Sequence, residues 1–111
     1  MPTPDGPFFA LDAAEAQAML ASGAIAIVDV REAHEFAAGH IPGSINMPLS
    51  RFDPSDLPID QGKRVVLSCA AGMRSFRALE MTAEAGVPVD THFKPGFKGW
   101  VAAGLPYDQG F

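Results

Sequence analysis

The run Arg64-Val65-Val66-Leu67-Ser68, continued by Cys69-Ala70-Ala71-Gly72-Met73-Arg74 and then Ser75-Phe76-Arg77-Ala78-Leu79, decides how the chain is read. Apolar, β-branched residues lead into the single cysteine, small residues turn the backbone, and helix formers take over where the turn ends. The pattern predicts a strand, a cradle and a helix. A thiol at a helix N-terminus beside an arginine is favoured in its ionised form, because partial positive charge, backbone N–H donors and a guanidinium all stabilise thiolate. Cys69 is therefore read as a nucleophile.

Unpaired cysteines are often buried and act as small hydrophobes. Three features point the other way here: Cys69 comes after the strand, the small residues Ala70, Ala71 and Gly72 follow it, and Arg74 lies just beyond them. With no bulky side chains in the way, successive amides from Ala70 to Ser75 can turn inward as an anion-binding nest. A model thiol with a pKa of about 8.5 is only slightly ionised at neutral pH, so even a modest lowering multiplies the attacking species. The same amides suit an oxyanion or a terminal sulfur anion.

Outward from this stretch, Gly62-Lys63 turns the chain into the strand, and Ser75 to Ala85 reads as a helix ended by Gly86. Upstream, Ile25 to Val30 is an apolar run too short for a stable helix, as expected of a strand buried on both faces. Ala33 to Ala38 reads as a short helix closed by Gly39, His40 to Gly43 as a turn, and Ser44 to Met47 as a short strand. Leu49 to Leu57, with its Pro54, reads as loop with at most one helical turn. Asp12 and Glu15 have the spacing of a capping box and predict a helix ended by Gly23, preceded by a short strand at Phe8-Phe9-Ala10. Val89 to Phe93 reads as a last strand, and Phe97 to Ala103 as a short helix stopped by Gly104 and Pro106. Strands and helices alternate throughout. The expected class is α/β, with a mostly parallel sheet, helices on its faces and ligands beyond the carboxyl ends of its strands, where Cys69 lies.

A length of 111 residues fits one domain, assigned to 8–111 and preceded by a loose, proline-rich arm at 1–7. No apolar run approaches the roughly 20 residues of a membrane helix, and Met1 to Pro7 lack the basic and apolar regions of a secretory signal, so a cytoplasmic protein is expected. One cysteine permits no internal disulfide and no ordinary cysteine-based zinc site. A net charge of −5 opposes non-specific binding to nucleic acid or anionic membrane.

At Asp29-Val30-Arg31-Glu32-Ala33-His34-Glu35-Phe36-Ala37-Ala38-Gly39-His40-Ile41-Pro42-Gly43-Ser44-Ile45-Asn46-Met47-Pro48, and again at the Cys69–Ser75 loop, the chain resembles a single-domain rhodanese, a thiosulfate-type sulfurtransferase. The segment from Pro95 to Pro106 extends the resemblance, which runs from about Phe8 to Pro106. It implies a three-layer domain with a mostly parallel five-stranded sheet and helices on both faces. It also implies that Cys69 accepts sulfane sulfur as a persulfide and passes it to cyanide or a thiol, with no cofactor. Ala70, Ala71, Gly72, Met73 and Arg74 map to the family's substrate-binding loop, with Ser75 completing the nest and Arg74 positioning an anionic donor. Two departures stand out: Ala70-Ala71 replace the charged or polar side chains common there, and Pro95-Gly96 replaces a common Gly-Gly pair.

Two other functions compete. A carrier module would hold the persulfide for an acceptor protein with little small-molecule turnover, a role suited to the uncharged Ala70-Ala71 pair unless Arg74, Arg77 and Lys98 face the site and compensate. A cysteine phosphatase would need a Cys-x5-Arg loop, whereas this chain has Cys-x4-Arg, and it would need a general acid, for which Asp53 and Asp56 are the candidates. Asp29 with Arg31 reads as a pair that fixes the following loop, and His40 as a turn organiser. His34 and His92 share no metal spacing with His40, and no histidine is assigned to catalysis. Phe93, Phe97 and Trp100 read as core, and Met73 as the pocket rim.

Overall fold

The Arg64–Ser68 run forms the middle strand of a five-stranded sheet in the computed structural model, which describes residues 8–110. The arm expected at residues 1–7 lies outside the described residues. In chain order the elements are β1 (Phe9–Leu11), α1 (Ala13–Ala21), β2 (Ile25–Asp29), α2 (Ala33–Ala38), β3 (Ile45–Asn46), β4 (Arg64–Ser68), α3 (Met73–Glu84), β5 (Thr91–Phe93) and α4 (Gly96–Ala102). The sheet order is β1-β5-β4-β2-β3. Every strand pairing among the described residues is parallel, so the sheet is uniformly rather than mostly parallel.

Residue type explains these elements locally. Asp12 and Glu15 close the expected capping box on α1, the Asp12 carboxylate accepting the Glu15 N–H at 2.8 Å. The Leu49–Leu57 stretch carries two short 3₁₀ turns, at Leu49–Arg51 and Pro54–Asp56, where one turn at most was expected. Asp53 nucleates the second by accepting the Ser55 N–H, with proline already set at the first helical position. Helix α3 starts at Met73, two residues before the expected Ser75, because Gly72 adopts a left-handed conformation that starts the helix within the loop.

Side-chain alternation divides the apolar runs between two faces. Val28 and Val30 join Val65, Leu67 and Cys69 on one face, under Ala78 and Leu79 of α3. Ile25, Ile27, Val66 and Phe93 line the other, packed on Ala16 of α1 and Trp100 of α4. Each fully buried valine or leucine contributes about 1.5–3 kcal/mol relative to exposure. With Phe93 on the α4 side, strand period puts His92 on the α3 side, the same face as Cys69. Among the described residues no helix is long and apolar enough to cross a membrane.

Candidate active site

Cys69 leaves the carboxyl end of β4 and is 1% exposed. The backbone at Gly72, with φ of +94°, turns its N–H back onto the Cys69 Sγ at 3.1 Å. The Ser75 hydroxyl, in the first turn of α3, lies 3.6 Å from the same sulfur. Burial pushes the thiol up, but hydrogen bonds to the Ser75 hydroxyl and to the amides of Ser75, Ala71 and Gly72 outweigh it and hold the thiol below its ordinary value. Of the inward-facing amides expected from Ala70 to Ser75, those of Ala71, Gly72 and Ser75 face the sulfur. Ala71 and Met73 point outward, Met73 being 84% exposed at the rim, and Ala70 is half-buried.

The loop is held from below by α4. Phe97 donates its N–H to the Cys69 carbonyl at 2.8 Å, and Lys98 donates to the Ala70 carbonyl at 3.1 Å. Gly96 permits this approach: a Cβ there would lie 2.5 Å from the Ala70 carbonyl oxygen and 2.6 Å from that of Cys69. Of the Pro95-Gly96 pair, the second residue is the one the loop requires to be glycine.

Arg74 ends the loop in a bidentate ion pair with Glu35 of α2, at 2.6 and 2.9 Å. The Arg74 hydrogen bonds hold the Glu35 carboxyl at about 2, against an ordinary 4.5. Glu35 also accepts the Glu32 N–H at the start of α2, so one carboxylate ties that helix to the loop's arginine. Arg77 lies beside Glu80 and Glu84 of its own helix, and Lys98 is exposed.

Asp29 and Arg31 form a buried pair at 2.8 Å, and Arg31 donates onward to the Gly39 carbonyl at 2.6 Å and the Glu35 carbonyl at 3.4 Å. The pair fixes the α2 segment, as its position after a strand suggested. His40 stacks on Phe36 and bonds the Phe36 carbonyl through Nδ1 at 2.9 Å, which is an organiser's role. Phe93 and Trp100 complete the core, and Phe97 lies beneath the Arg31 guanidinium. An apolar groove of about 490 Å³, lined by Leu20, Ile25, Pro42, Ile45, Trp100 and Pro106 among others, has no residue of the Cys69–Ser75 loop in its wall.

Sequence reasoning assigns no role to two residues that the structure ties to the loop, Glu35 through Arg74 and His92 through Ser75. Glu35 reads in the sequence as one acidic residue of a short helix, although its place three residues after Glu32 marks a helix start. The sequence places His92 in a strand and gives it no metal spacing with His40. His92 is 1% exposed on β5, and its Nδ1 lies 2.8 Å from the Ser75 Oγ. Its signal in the sequence was a polar residue in a buried strand, on the face shared with the cysteine.

The family model of the rhodanese-like domain matches residues 12–103. An uncharacterized protein of Synechocystis is 45% identical over 83 residues, which span 75% of this chain and 46% of that protein. The mouse thiosulfate sulfurtransferase/rhodanese-like domain-containing protein 3 is 34% identical over 101 residues, covering 78% of this chain and 64% of its own length. The chain thus spans about half to two-thirds of these relatives. Among solved structures, the thiosulfate sulfurtransferase of Pseudomonas aeruginosa superposes with a TM-score of 0.82 at 30% identity, over 94% of this chain and 21% of that one.

Proposed function

The chain belongs to the rhodanese-like domain family, and from that premise we propose that it is a sulfurtransferase working through a persulfide on Cys69. The observation that carries the reading is the set of donors gathered on one sulfur, with the Gly72 N–H at 3.1 Å and the Ser75 hydroxyl at 3.6 Å. Such donors favour thiolate before transfer and the persulfide anion after it.

With thiosulfate as donor, the Cys69 thiolate attacks the outer, sulfane sulfur. A new S–S bond forms on Cys69 as the donor's S–S bond breaks, and sulfite leaves with the electron pair. Cyanide or a thiolate then attacks the outer sulfur of the persulfide, and the Cys69 thiolate is regenerated. Charge balances in both steps without proton transfer, so the loop's task is to hold an anion. Ala70, Ala71, Gly72, Met73, Arg74 and Ser75 line the donor's approach. Intact mass after thiosulfate treatment should show one added sulfur on the wild type and none on Cys69→Ser; absence of the adduct with every sulfane donor tried refutes the proposal.

A carrier role is the second reading, and it draws on Arg74. That guanidinium is already paired with Glu35, and Ala70 and Ala71 add no charge to attract a free dianion. Slow turnover from thiosulfate to cyanide by a stably loaded persulfide would favour delivery to an acceptor protein, and rapid turnover would exclude it. A phosphatase is not supported: the loop has four residues between cysteine and arginine. In addition, the Ser55 hydroxyl and N–H hold the Asp53 carboxyl below its ordinary value, the reverse of what a general acid needs.

A further inference from the structure

We infer that the segment 106–110 positions the loop's cation: by tying down the C-terminal end of α2 it keeps the Glu35 carboxylate on Arg74, and so limits how strongly the site draws an anionic donor. The inference rests on the sulfur-transfer reading for the identity of that donor. Its basis is the set of bonds the segment makes to α2.

Six residues are too few for a helix to persist on its own, so α2 stands only through its contacts. The last four carbonyls of such a helix have no partner further along it. The segment meets two of them: the Gly110 N–H donates to the Ala37 carbonyl at 2.8 Å, and the Gln109 side-chain amide donates to that of Ala38 at 3.3 Å. Just beyond the helix, Asp108 and His40 exchange both backbone bonds at 2.9 Å in an antiparallel bridge. Gly39, which joins α2 to His40, is wedged against two rings, since a Cβ there would lie 2.9 Å from Phe97 and 3.2 Å from Tyr107. Tyr107 stands edge-on to Phe97, at 5.5 Å and 90°, and the Pro106 carbonyl accepts the Trp100 indole N–H at 2.7 Å. The segment therefore links α4, which supports the loop, to α2, which carries the loop's counter-ion.

Other ties to α2 are made elsewhere. Glu32 accepts the Ser50 hydroxyl at 2.7 Å where the helix begins, and Arg31 holds the Gly39 and Glu35 carbonyls while resting over the Phe97 ring that Tyr107 abuts. Arg31 is 4% exposed, whereas residues 106–109 are all exposed. Exposed backbone bonds with few apolar contacts open most readily. The segment is thus the part of the anchorage that can let go while the sheet stays folded. With that end of α2 free, Glu35 loses its fork-on-fork geometry, and the partly exposed Arg74 guanidinium is left to an incoming anion. Arg74 and Arg31 are the charges that act on the Glu35 carboxyl, so its titration reports whether it is docked.

The test compares Asp108→Pro, which deletes the N–H given to His40, with Asp108→Ala, which keeps it. The Glu35 carboxyl is titrated by carbon-13 NMR, and folding is checked by thermal melting. The docked carboxyl titrates at about 2, against an ordinary 4.5. The expected result is the docked value in the wild type and in Asp108→Ala, and a rise of about one unit or more in Asp108→Pro. In a thiosulfate-to-cyanide assay, Asp108→Pro should lower KM by about threefold with kcat kept, and should lower it no further in a Glu35→Gln background. A docked value retained in Asp108→Pro, an equal rise in Asp108→Ala, an unmoved KM, or a KM shift that persists in Glu35→Gln overturns the inference. If Asp108→Pro fails to fold, Tyr107→Ala combined with Gln109→Ala decides by the same titration: a rise supports the role, and the docked value refutes it. The titration needs no sulfur donor, so failure of sulfur transfer, read as no persulfide on the wild type, is distinct from failure of the segment's role.

Discussion

Arg74 and Glu35 face each other as a fork on a fork, Nη1 to Oε1 at 2.6 Å and Nη2 to Oε2 at 2.9 Å, so the cation at the loop's end is already matched by an anion of the protein. On the sulfur-transfer reading, a donor such as thiosulfate would share Arg74 with Glu35. Replacing Glu35 by glutamine keeps the side chain's shape and removes its charge. The expected outcome in a thiosulfate-to-cyanide assay at low salt is a KM lower by roughly threefold to tenfold with little change in kcat, since what is gained is uniform binding of the anion. An unchanged KM would mean that Arg74 does not reach the donor.

The same pair predicts a pH dependence of stability. Glu35 titrates at about 2 in the folded chain against an ordinary 4.5, so the unfolded chain binds the proton more readily. Its stabilising contribution is complete above pH 4.5 and is lost as pH falls from there toward 2. Because both side chains are partly exposed, the contribution is at most about 1 kcal/mol. Thermal melts of the wild type and Glu35→Gln between about pH 6 and pH 3 should converge as pH falls. A constant difference in melting temperature would assign the effect of the mutation to packing.

Donors on the sulfur rank the loop side chains. The Ser75 hydroxyl contacts the thiol directly, whereas Arg74 shares its charge with Glu35. Near neutral pH, Ser75→Ala should slow iodoacetamide labelling of Cys69 by about tenfold, the equivalent of one pKa unit, and Arg74→Ala by less. The reverse order would give Arg74 the leading part in ionising the thiol.

How much of this was legible in the sequence follows from the range of each interaction. The capping box at Asp12, the β-branched runs of β2 and β4, and the glycine at the turn after Cys69 are local, and local chemistry determines them. The family segment from Asp29 to Pro48 carried the fold further, to a five-stranded sheet. Partners brought together by sheet order were not legible. His92 and Ser75 are 17 residues apart and meet because β5 lies beside β4 with α3 above both. Glu35 and Arg74 are separated by 39 residues and meet across the mouth of the loop. A charge in a short helix and a histidine in a strand acquire meaning only when the register is known.

Gly96 and Gly43 provide a matched pair for the last prediction. Both have positive φ, +67° and +80°, so alanine at either position bears the strain of a left-handed backbone, about 1–2 kcal/mol. Only Gly96 faces backbone: its added Cβ would lie 2.5 Å from the Ala70 carbonyl carbon and oxygen, whereas nothing lies within 4 Å of one at Gly43. Carbonyl groups held by the Phe97 and Lys98 amides cannot retreat without breaking those bonds. Gly96→Ala should therefore cost about 2–4 kcal/mol by urea unfolding, clearly more than Gly43→Ala. It should also slow persulfide loading of Cys69, because the backbone that must shift is the cradle itself. Equal losses of stability at the two positions, with loading intact at Gly96→Ala, would show that α4 supports the sheet but not the loop.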